Sequence, residues 1–478
     1  MTGLTHPPSG ASANRVDISS PRRIHIVGVG GSGMSGIAMM LAKLGHVVSG
    51  SDLKDSEVTA RLRVHGITAH VGHSAANLPG LLDAVVVSTA IGPGNVEVVE
   101  AHNRGIPVLR RAEMLALIVK LRRCIAVSGT HGKTTTSSML SLILRAAGWK
   151  PSFLIGGDVN EVGGNAVYDD GRWLVVEADE SDGTFLELEP EVVLVTSVEP
   201  DHLEYYGGYD ELIGAFRSFV DRPLGLRVMC ADDPVSARLA TEVEGVVTYG
   251  ESQGSDYLID GYQGGRSGSS FDLRVRGELL GQVEVMGPGR HNALNAAGAA
   301  ACAMELGVPF DAVIDAMGRF AGVARRFQFH GEVGGVTLVD DYAHLPGEVV
   351  AALAAAREGG WRSIVAVFQP HRYSRTAELW RDFAEAFVDA DTLVLTDIYA
   401  AGESPRPGVS GRLILQAVLD AHPQTRVAYA PRRSDVLAMV KRIARPGDLV
   451  LTLGAGDLVS LPGEWMREAS ASLGPARE

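Results

Sequence analysis

Apolar positions in this chain come in short unbroken runs, each followed by a glycine turn and then by apolar residues three and four apart. The first instance, "RIHIVGVGGSGMSGIAMMLAKLGHVVSGSD" (23–52), predicts a strand, a turn and a helix. That helix carries Met34, Ile37, Ala38, Leu41 and Ala42 on one face and is stopped by Gly45. A second strand, His46 to Ser51, follows at once, and "LDAVVVSTAIGPG" (82–94) and "IPVLRRAEMLALIV" (106–119) continue a doubly wound unit. The pattern restarts at "CIAVSGTHGKTTTSSMLSLILRAAG" (124–148), with Met139, Leu142 and Ile143 on one helix face. "WLVVEADESD" (173–182) and "VVLVTSVEPDH" (192–202) are continuously apolar, as strands buried in a parallel sheet are, and each ends in acids or histidine.

After "GVARRFQFHGEVGGVTLVDDYAHLP" (322–346) a third alternation brings in strands at "SIVAVFQP", "TLVLTDIY" and "DLVLTLGAG", starting at 363, 392 and 448. Between these regions, 249–277 alternates and is rich in Gly and Ser, which predicts antiparallel hairpins on the edge of the middle domain. The expected fold is therefore α/β with three domains. A Rossmann-like domain over 21–119 follows a disordered tail at 1–20. A P-loop-type domain with a mostly parallel sheet and an antiparallel edge covers 120–325, and a second Rossmann-like domain covers 326–478.

A length of 478 residues suits about three domains. The excess of 57 acidic over 43 basic side chains gives a net charge of −14, which argues against nucleic acid as a partner. Cys124, Cys230 and Cys302 follow no metal spacing and read as buried thiols of a reducing compartment. The first 20 residues lack the apolar core of a signal peptide and no run of 18 apolar residues occurs, so a cytoplasmic protein without membrane partners is expected.

Three loops carry candidate chemistry. "GVGGSG" (28–33) matches G-x-G-x-x-G, with Asp52 19 residues beyond its last glycine. Its glycines let backbone N–H groups at a helix start approach a diphosphate, a property that any nucleotide diphosphate can use. "GTHGKTTT" (129–136) has the Gly-Lys-Thr of a phosphate loop, but Val127 stands where the G-x-x-x-x-G-K-[ST] spacing puts the first glycine. Gly129 and Gly132 keep that loop open, Lys133 supplies a cation for the outer phosphates and Thr134 a hydroxyl for a divalent ion. Glu177, Asp179, Glu180 and Asp182, with Glu199, Asp201 and His202, stand at ends of neighbouring strands where divalent metal could be held. In the last third, Arg372 and Arg375 of "FQPHRYSRT" suit capture of a carboxylate or phosphate, with a solvated surface pair as the plain alternative. The amides of Asn292 and Asn295 in "HNALN" could meet a base edge or cap a helix.

In this order, "GVGGSGMSGIA", "GTHGKTTT", "EADESD", "EPDH", "HNALNA", "RRFQ", "DDYAHLP", "FQPHRYSRT", "DIYAAGE" and "LGAGD" resemble the Mur ligase family, the ATP-dependent amino-acid ligases of peptidoglycan synthesis. The resemblance covers about residues 22–460. It implies joining of L-alanine to the lactyl carboxylate of UDP-N-acetylmuramate through an acyl phosphate, with ATP as co-substrate. Two Mg²⁺ ions are implied, with Mn²⁺ as a substitute, and a monomer or weak homodimer.

The implied UDP-sugar residues are Gly30, Gly31, Ser32, Gly33, Met34, Ser35, Asp52, Ser88 and Thr89. ATP would be met by Gly129, Thr130, His131, Gly132, Lys133, Thr134, Thr135, Asn292, Asn295, Arg326 and Asp341. Thr134, Glu177 and His202 would hold metal, with Lys133, Glu177 and His202 catalytic, while Tyr342, His344, Arg372 and Arg375 would grip the amino acid. Leu345 stands where related loops often carry a second histidine, and "DYAH" is shared by siblings that add other amino acids or a whole peptide. An NAD-dependent dehydrogenase would account for the first 52 residues but leaves Lys133, Glu177 and His202 without a task. A nucleotide sensor would need neither the second acid cluster nor the arginine pair.

Overall fold

A computed structural model describes residues 16–88, 90–223 and 225–472. The first sheet has five parallel strands in the order Thr68–Val71, Val47–Asp52, Arg23–Val27, Ala84–Val87, Val108–Arg110. Its order turns back at Arg23–Val27, so the crevice at the carboxyl ends of that strand and Ala84–Val87 is the switch point where such sheets bind ligands. Val16 and Ile18 are buried in the core of this region, so packed chain begins before residue 21, inside the expected tail. Residues 1–15 of that tail lie outside the described residues.

The second sheet has ten strands, with Arg123–Ser128 flanked by Val192–Val195 and Trp173–Glu177, both parallel to it. Every side chain from Cys124 to Ser128 is buried, which explains the unbroken apolar run. One antiparallel pair falls at the edge formed by Ser152–Val159 and Gly164–Val167. At the opposite edge Tyr257–Gly264, Ser269–Val275 and Glu278–Val285 are neighbours in chain order, joined through 265–268 and 276–277, connections too short for a parallel crossover and in keeping with the hairpins expected around 249–277. Val246–Gly250 pairs with the first of them in parallel, over Tyr249↔Tyr257 and Gly250↔Leu258. The Asp256 carboxylate accepts from Thr248 N and Thr248 Oγ1, each at 2.9 Å. That fold-back of the intervening loop sets the two strands off in the same direction.

The third sheet has six strands, in the order Gln328–Val333, Val336–Asp341, Leu449–Leu453, Ile364–Phe368, Thr392–Thr396, Val427–Ala430. Its one antiparallel pair is the hairpin of the first two, turned by Gly334 and Gly335 at φ 58° and 80°. Two consecutive positive φ values are what a two-residue hairpin turn requires, and glycine supplies them without steric cost. The contacts of the chain define two units. One ends at Ile259 and includes 273–280 and 294–316, and the other comprises 260–272, 281–293 and the chain from Met317.

Candidate active site

The glycine loop of the first sheet is shaped by the end of the neighbouring strand. Gly28 N and Val29 N donate to Ser51 O at 2.8 and 3.0 Å, and Gly30 N donates to Asp52 Oδ2 at 2.9 Å. Asp52 therefore meets the loop directly, and a Cβ on Gly30 would fall 2.9 Å from its carboxylate. Ser88 abuts the other side, 3.0 Å from where a Cβ of Gly28 would lie. Met34 and Ser35 are buried at 2 % exposure each, with Met34 in the core. Their side chains thus support the loop from within and do not present a surface to a ligand. Thr89 and the side chain of Ser32 lie outside the described residues.

The phosphate loop follows Arg123–Ser128 and leads into the helix Lys133–Ala146. Gly129 and Gly132 have φ 133° and 79°. A methyl at Gly129 would run into Thr196 Oγ1, and one at Gly132 into Asn295 Oδ1. The loop is pinned to the strand end at 196–199: Thr130 N donates to Ser197 O at 2.9 Å, His131 N to Ser197 Oγ at 3.1 Å, and Glu199 N to Thr130 Oγ1 at 2.8 Å. This anchoring replaces what the missing glycine at 127 gives a longer loop. Thr135 is buried at 6 % exposure.

Lys133 Nζ donates to Gly129 O at 2.6 Å and Thr130 O at 3.3 Å, and lies 2.8 Å from Glu180 Oε2. Burial disfavours the ammonium, but Glu180 and Asp179 outweigh it and raise its pKa, so Lys133 stays charged. Thr134 Oγ1 donates to Glu177 Oε1 at 3.1 Å, and Glu177 Oε2 accepts from Gly156 N at 2.6 Å. Hydroxyl and carboxylate oxygens side by side are the hard donors that Mg²⁺ prefers, and few are needed when phosphates and waters complete the octahedron. His202 sits in left-handed backbone at φ 54° and pairs with Asp201 at 3.2 Å. Of the three residues expected to hold metal, Thr134 and Glu177 are hydrogen-bonded to each other, while the pairing of His202 is with Asp201. Among the described residues no group of three or more His, Cys, Asp or Glu is disposed to hold a metal ion.

A cavity of about 120 Å³, lined by Gly33, Arg111, Asn165, Gly156, Glu177 and Asp179, joins the glycine loop to Glu177. Arg111 Nη2 donates to Asp182 Oδ2 at 2.7 Å, and a Cβ on Gly33 would fall 3.1 Å from its Nη1. Arg111, Asn165 and the partnership of Glu180 with Lys133 escape a sequence reading, because each depends on contacts between distant segments.

In the C-terminal unit, Asp341 is buried and accepts from Phe327 N and Ala343 N, both at 2.7 Å. Burial raises it to about 6 against the pull of Arg326. Arg325 and Phe327 flank Arg326 with φ of 64° and 43°, conformations a non-glycine residue keeps only where its surroundings fix them. Tyr342 meets His344 edge-on at 5.2 Å, His344 meets His371 at 5.7 Å, and His371 stacks on Tyr399 at 5.9 Å. Arg375 Nη1 lies 3.3 Å from His371 Nδ1, and Arg372, at φ 69°, donates its N–H to Tyr399 O at 2.9 Å. The four expected amino-acid residues are thus linked through His371 and Tyr399, two side chains whose motifs were legible but whose parts were not.

The two amides of "HNALN" each make a hydrogen bond within the protein. Asn292 Nδ2 donates to Pro288 O at 2.8 Å, while Asn295 Oδ1 accepts from Thr136 Oγ1 at 3.1 Å. Asn295 thereby braces the helix behind the phosphate loop.

A phosphate loop with its lysine charged, a hydroxyl–carboxylate pair beside it and a second glycine loop on a parallel sheet define a nucleotide-dependent α/β enzyme. Residues 23–123 match the catalytic domain of the Mur ligase family, 127–303 the Mur ligase middle domain, and 325–456 the domain described as Mur ligase, glutamate ligase domain. The chain belongs to the Mur ligase family. It is 48% identical over 445 residues to the UDP-N-acetylmuramate--L-alanine ligase of Anaeromyxobacter sp. (strain Fw109-5), covering 92% of this chain and 96% of the relative. The enzyme of the same name from Pelotomaculum thermopropionicum is 45% identical, with 92% and 96% covered. Among solved structures, the UDP-N-acetylmuramate-alanine ligase of Thermotoga maritima aligns with a TM-score of 0.80 and 29% identity, over 94% of this chain and all of that one (100%).

Proposed function

We propose that this protein joins L-alanine to the lactyl carboxylate of UDP-N-acetylmuramate at the expense of ATP, in peptidoglycan precursor synthesis. The observation that carries the reading is the charged Lys133 at the head of its helix, beside the Thr134–Glu177 pair, in a chain so similar to alanine ligases over nearly its whole length. A dehydrogenase gives Lys133 and Glu177 no task, and a nucleotide sensor needs neither the second acid cluster nor the arginine pair.

A carboxylate is a poor acyl donor, so its oxygen attacks the γ-phosphorus of ATP. The P–O bond to ADP breaks, and an acyl phosphate forms. The neutral alanine amine then attacks the acyl carbon, phosphate leaves with the C–O bond electrons, and the nitrogen passes one of its two protons to the departing phosphate or to water, keeping the other as the amide N–H. Two anions meet in the first step. Lys133 lowers the repulsion by binding the outer phosphate oxygens, and its fixed charge is the kind of preorganised electrostatics that contributes most to such steps. Thr134 and Glu177 would hold Mg²⁺ and His202 would help to hold a second ion, and metal bound there would supply further neutralisation of phosphate charge. Gly30 to Gly33, Asp52 and Ser88 hold the UDP moiety, and the cavity between Gly33 and Glu177 carries the sugar toward the phosphate. Arg372 and Arg375 hold the alanine carboxylate, with Tyr342 and His344 beside them.

The test is phosphate release from ATP and Mg²⁺ with UDP-N-acetylmuramate, each amino acid being offered in turn. Release that depends on both the sugar nucleotide and L-alanine is expected. Release with the sugar nucleotide and a different amino acid in preference to alanine would assign the protein to another branch of the family, and release without either would remove the ligase reading.

A further inference from the structure

Glu97 is a charged side chain with no part in the chemistry above, and it is completely buried, at 0 % exposure, in the first turn of the helix Val96–Asn103. Among the described residues it has no lysine or arginine partner. Its Oε2 accepts from Ser51 Oγ at 2.5 Å and lies 3.4 Å from His73 Nδ1 and 3.6 Å from His25 Nε2. Its Oε1 accepts from Asn77 Nδ2 at 2.6 Å and Ser74 N at 3.1 Å. Burial pushes the carboxyl up, but the donors around it outweigh burial and hold it at about 2.

Burying a carboxylate costs several kcal/mol before its partners compensate, and a well-packed apolar replacement is often as stable, so stability alone is a poor account of such a group. Its partners suggest another. Ser51 is the residue whose carbonyl receives Gly28 N and Val29 N, and its neighbour Asp52 receives Gly30 N. The turn at 72–77 is fastened to the same strand end, with Gly72 N on Asp52 O at 2.7 Å and Asn77 Nδ2 on Gly72 O at 2.9 Å. Ser51, at the end of its strand, and His73, Ser74 and Asn77, in the turn that follows Thr68–Val71, thus bring to Glu97 bonds from the carboxyl side, where an open parallel sheet holds its ligand, while His25 reaches it from the middle of Arg23–Val27.

Resting on the reading of this domain as the UDP-sugar site, we propose that Glu97 is a positioning residue for the sugar nucleotide: it locks the strand end that shapes the glycine loop to the 72–77 turn. It touches no substrate. It fixes the separation of the two segments: its Oε1 must accept, because Asn77 Nδ2 and Ser74 N can only donate, and its charge favours donation by Ser51 Oγ and the two imidazoles at Oε2.

Glu97→Gln keeps the shape but removes the charge and one of the two accepting oxygens, so the groups that now donate to Oε2 lose their acceptor. The measurement is calorimetric binding of UDP together with KM for each of the three substrates. Expected is a loss of about tenfold or more in UDP affinity and a matching rise in KM for UDP-N-acetylmuramate, with KM for ATP and alanine within about twofold. A purely structural role would lower the melting temperature and the active fraction while leaving every KM unchanged, and that result overturns the proposal. Should Glu97→Gln not fold, Ser51→Ala removes one bond to the carboxylate while keeping the carbonyl of residue 51, and a rise in KM confined to the sugar nucleotide is again expected. An equal rise for ATP would overturn it. Normal UDP binding by both variants sinks the proposal and leaves the functional reading standing. Failure of the unaltered protein to bind UDP sinks both.

Discussion

The ammonium of Lys133 is enclosed by two carbonyls and a buried carboxylate, so it meets the phosphates with its charge and direction already set. Lys133→Ala should lower turnover by about 10² to 10³, the loss expected for one transition-state charge stabiliser. Steady-state phosphate release measures that loss, and UDP binding should survive, because the glycine loop proposed to hold UDP is shaped by Ser51 and Asp52. Arg375 is the corresponding residue for the amino acid. Arg375→Ala should raise KM for alanine by roughly 10- to 150-fold, with those for ATP and sugar nucleotide nearly unchanged. A rise in the ATP value would place the guanidinium on the phosphates instead. These two residues were legible from sequence because a lysine after a glycine loop, or an arginine after a strand, carries its chemistry in local context. The partnership of Glu180 with Lys133, and the parts of Arg111 and Glu97, were not, since an acid or arginine in a loop is usually solvated and only the fold reveals what lies opposite.

Among the elements, the strands of the parallel sheets were legible because burial on both faces leaves an unbroken apolar run, as in Cys124 to Ser128. The strand Ser152–Val159 was not, since Gly156, Gly157 and Asp158 interrupt its pattern. The parallel start of Tyr257–Gly264 was hidden for a different reason, namely that it depends on Asp256 capturing Thr248 through a side chain. The element Tyr373–Leu379 and the loop before it carry a titration that can be measured. Burial, reinforced by His344, Arg375 and Arg372, lowers His371 from its ordinary 6.5 to about 3. The unfolded chain therefore binds a proton in that interval which the folded chain refuses, and stability falls as pH falls from 6.5 toward 3. By pH 5 the loss attributable to this group reaches up to about 2 kcal/mol. His371→Gln should flatten the decline in melting temperature between pH 7 and 5, and an unchanged decline would mean that other groups set the acid sensitivity.

For the molecule as a whole, the first sheet and most of the second fall in one unit, and the third sheet, with parts of the strands between 260 and 285, in the other. Calorimetric melting should resolve a transition for each. UDP binds only native protein of the first unit, so at a hundredfold excess over its Kd it should stabilise that transition by about 2.7 kcal/mol and leave the other in place. An equal shift of both transitions would mean that the units unfold as one. The three-part organisation was readable because the strand-turn-helix pattern restarts twice. The joining of the first two sheets was not, because it is made by side chains such as Arg111 and Asp182, 71 residues apart.

That joining bears on how such enzymes can be recombined. Arg111 reaches Asp182 at 2.7 Å, Arg110 reaches Glu187 at 2.8 Å, and Arg61 reaches Asp158 at 3.1 Å, so three cations of the first domain are each matched to an acid of the second. A chimera that grafts a foreign first domain onto this middle domain inherits the acids without their counter-ions. The partly buried Asp182 then stands without its cation beside the acids of the catalytic loop. Arg111 and Asp182 consequently form a unit of inheritance that a domain boundary drawn near residue 120 cuts in two, and successful domain exchange has to carry both.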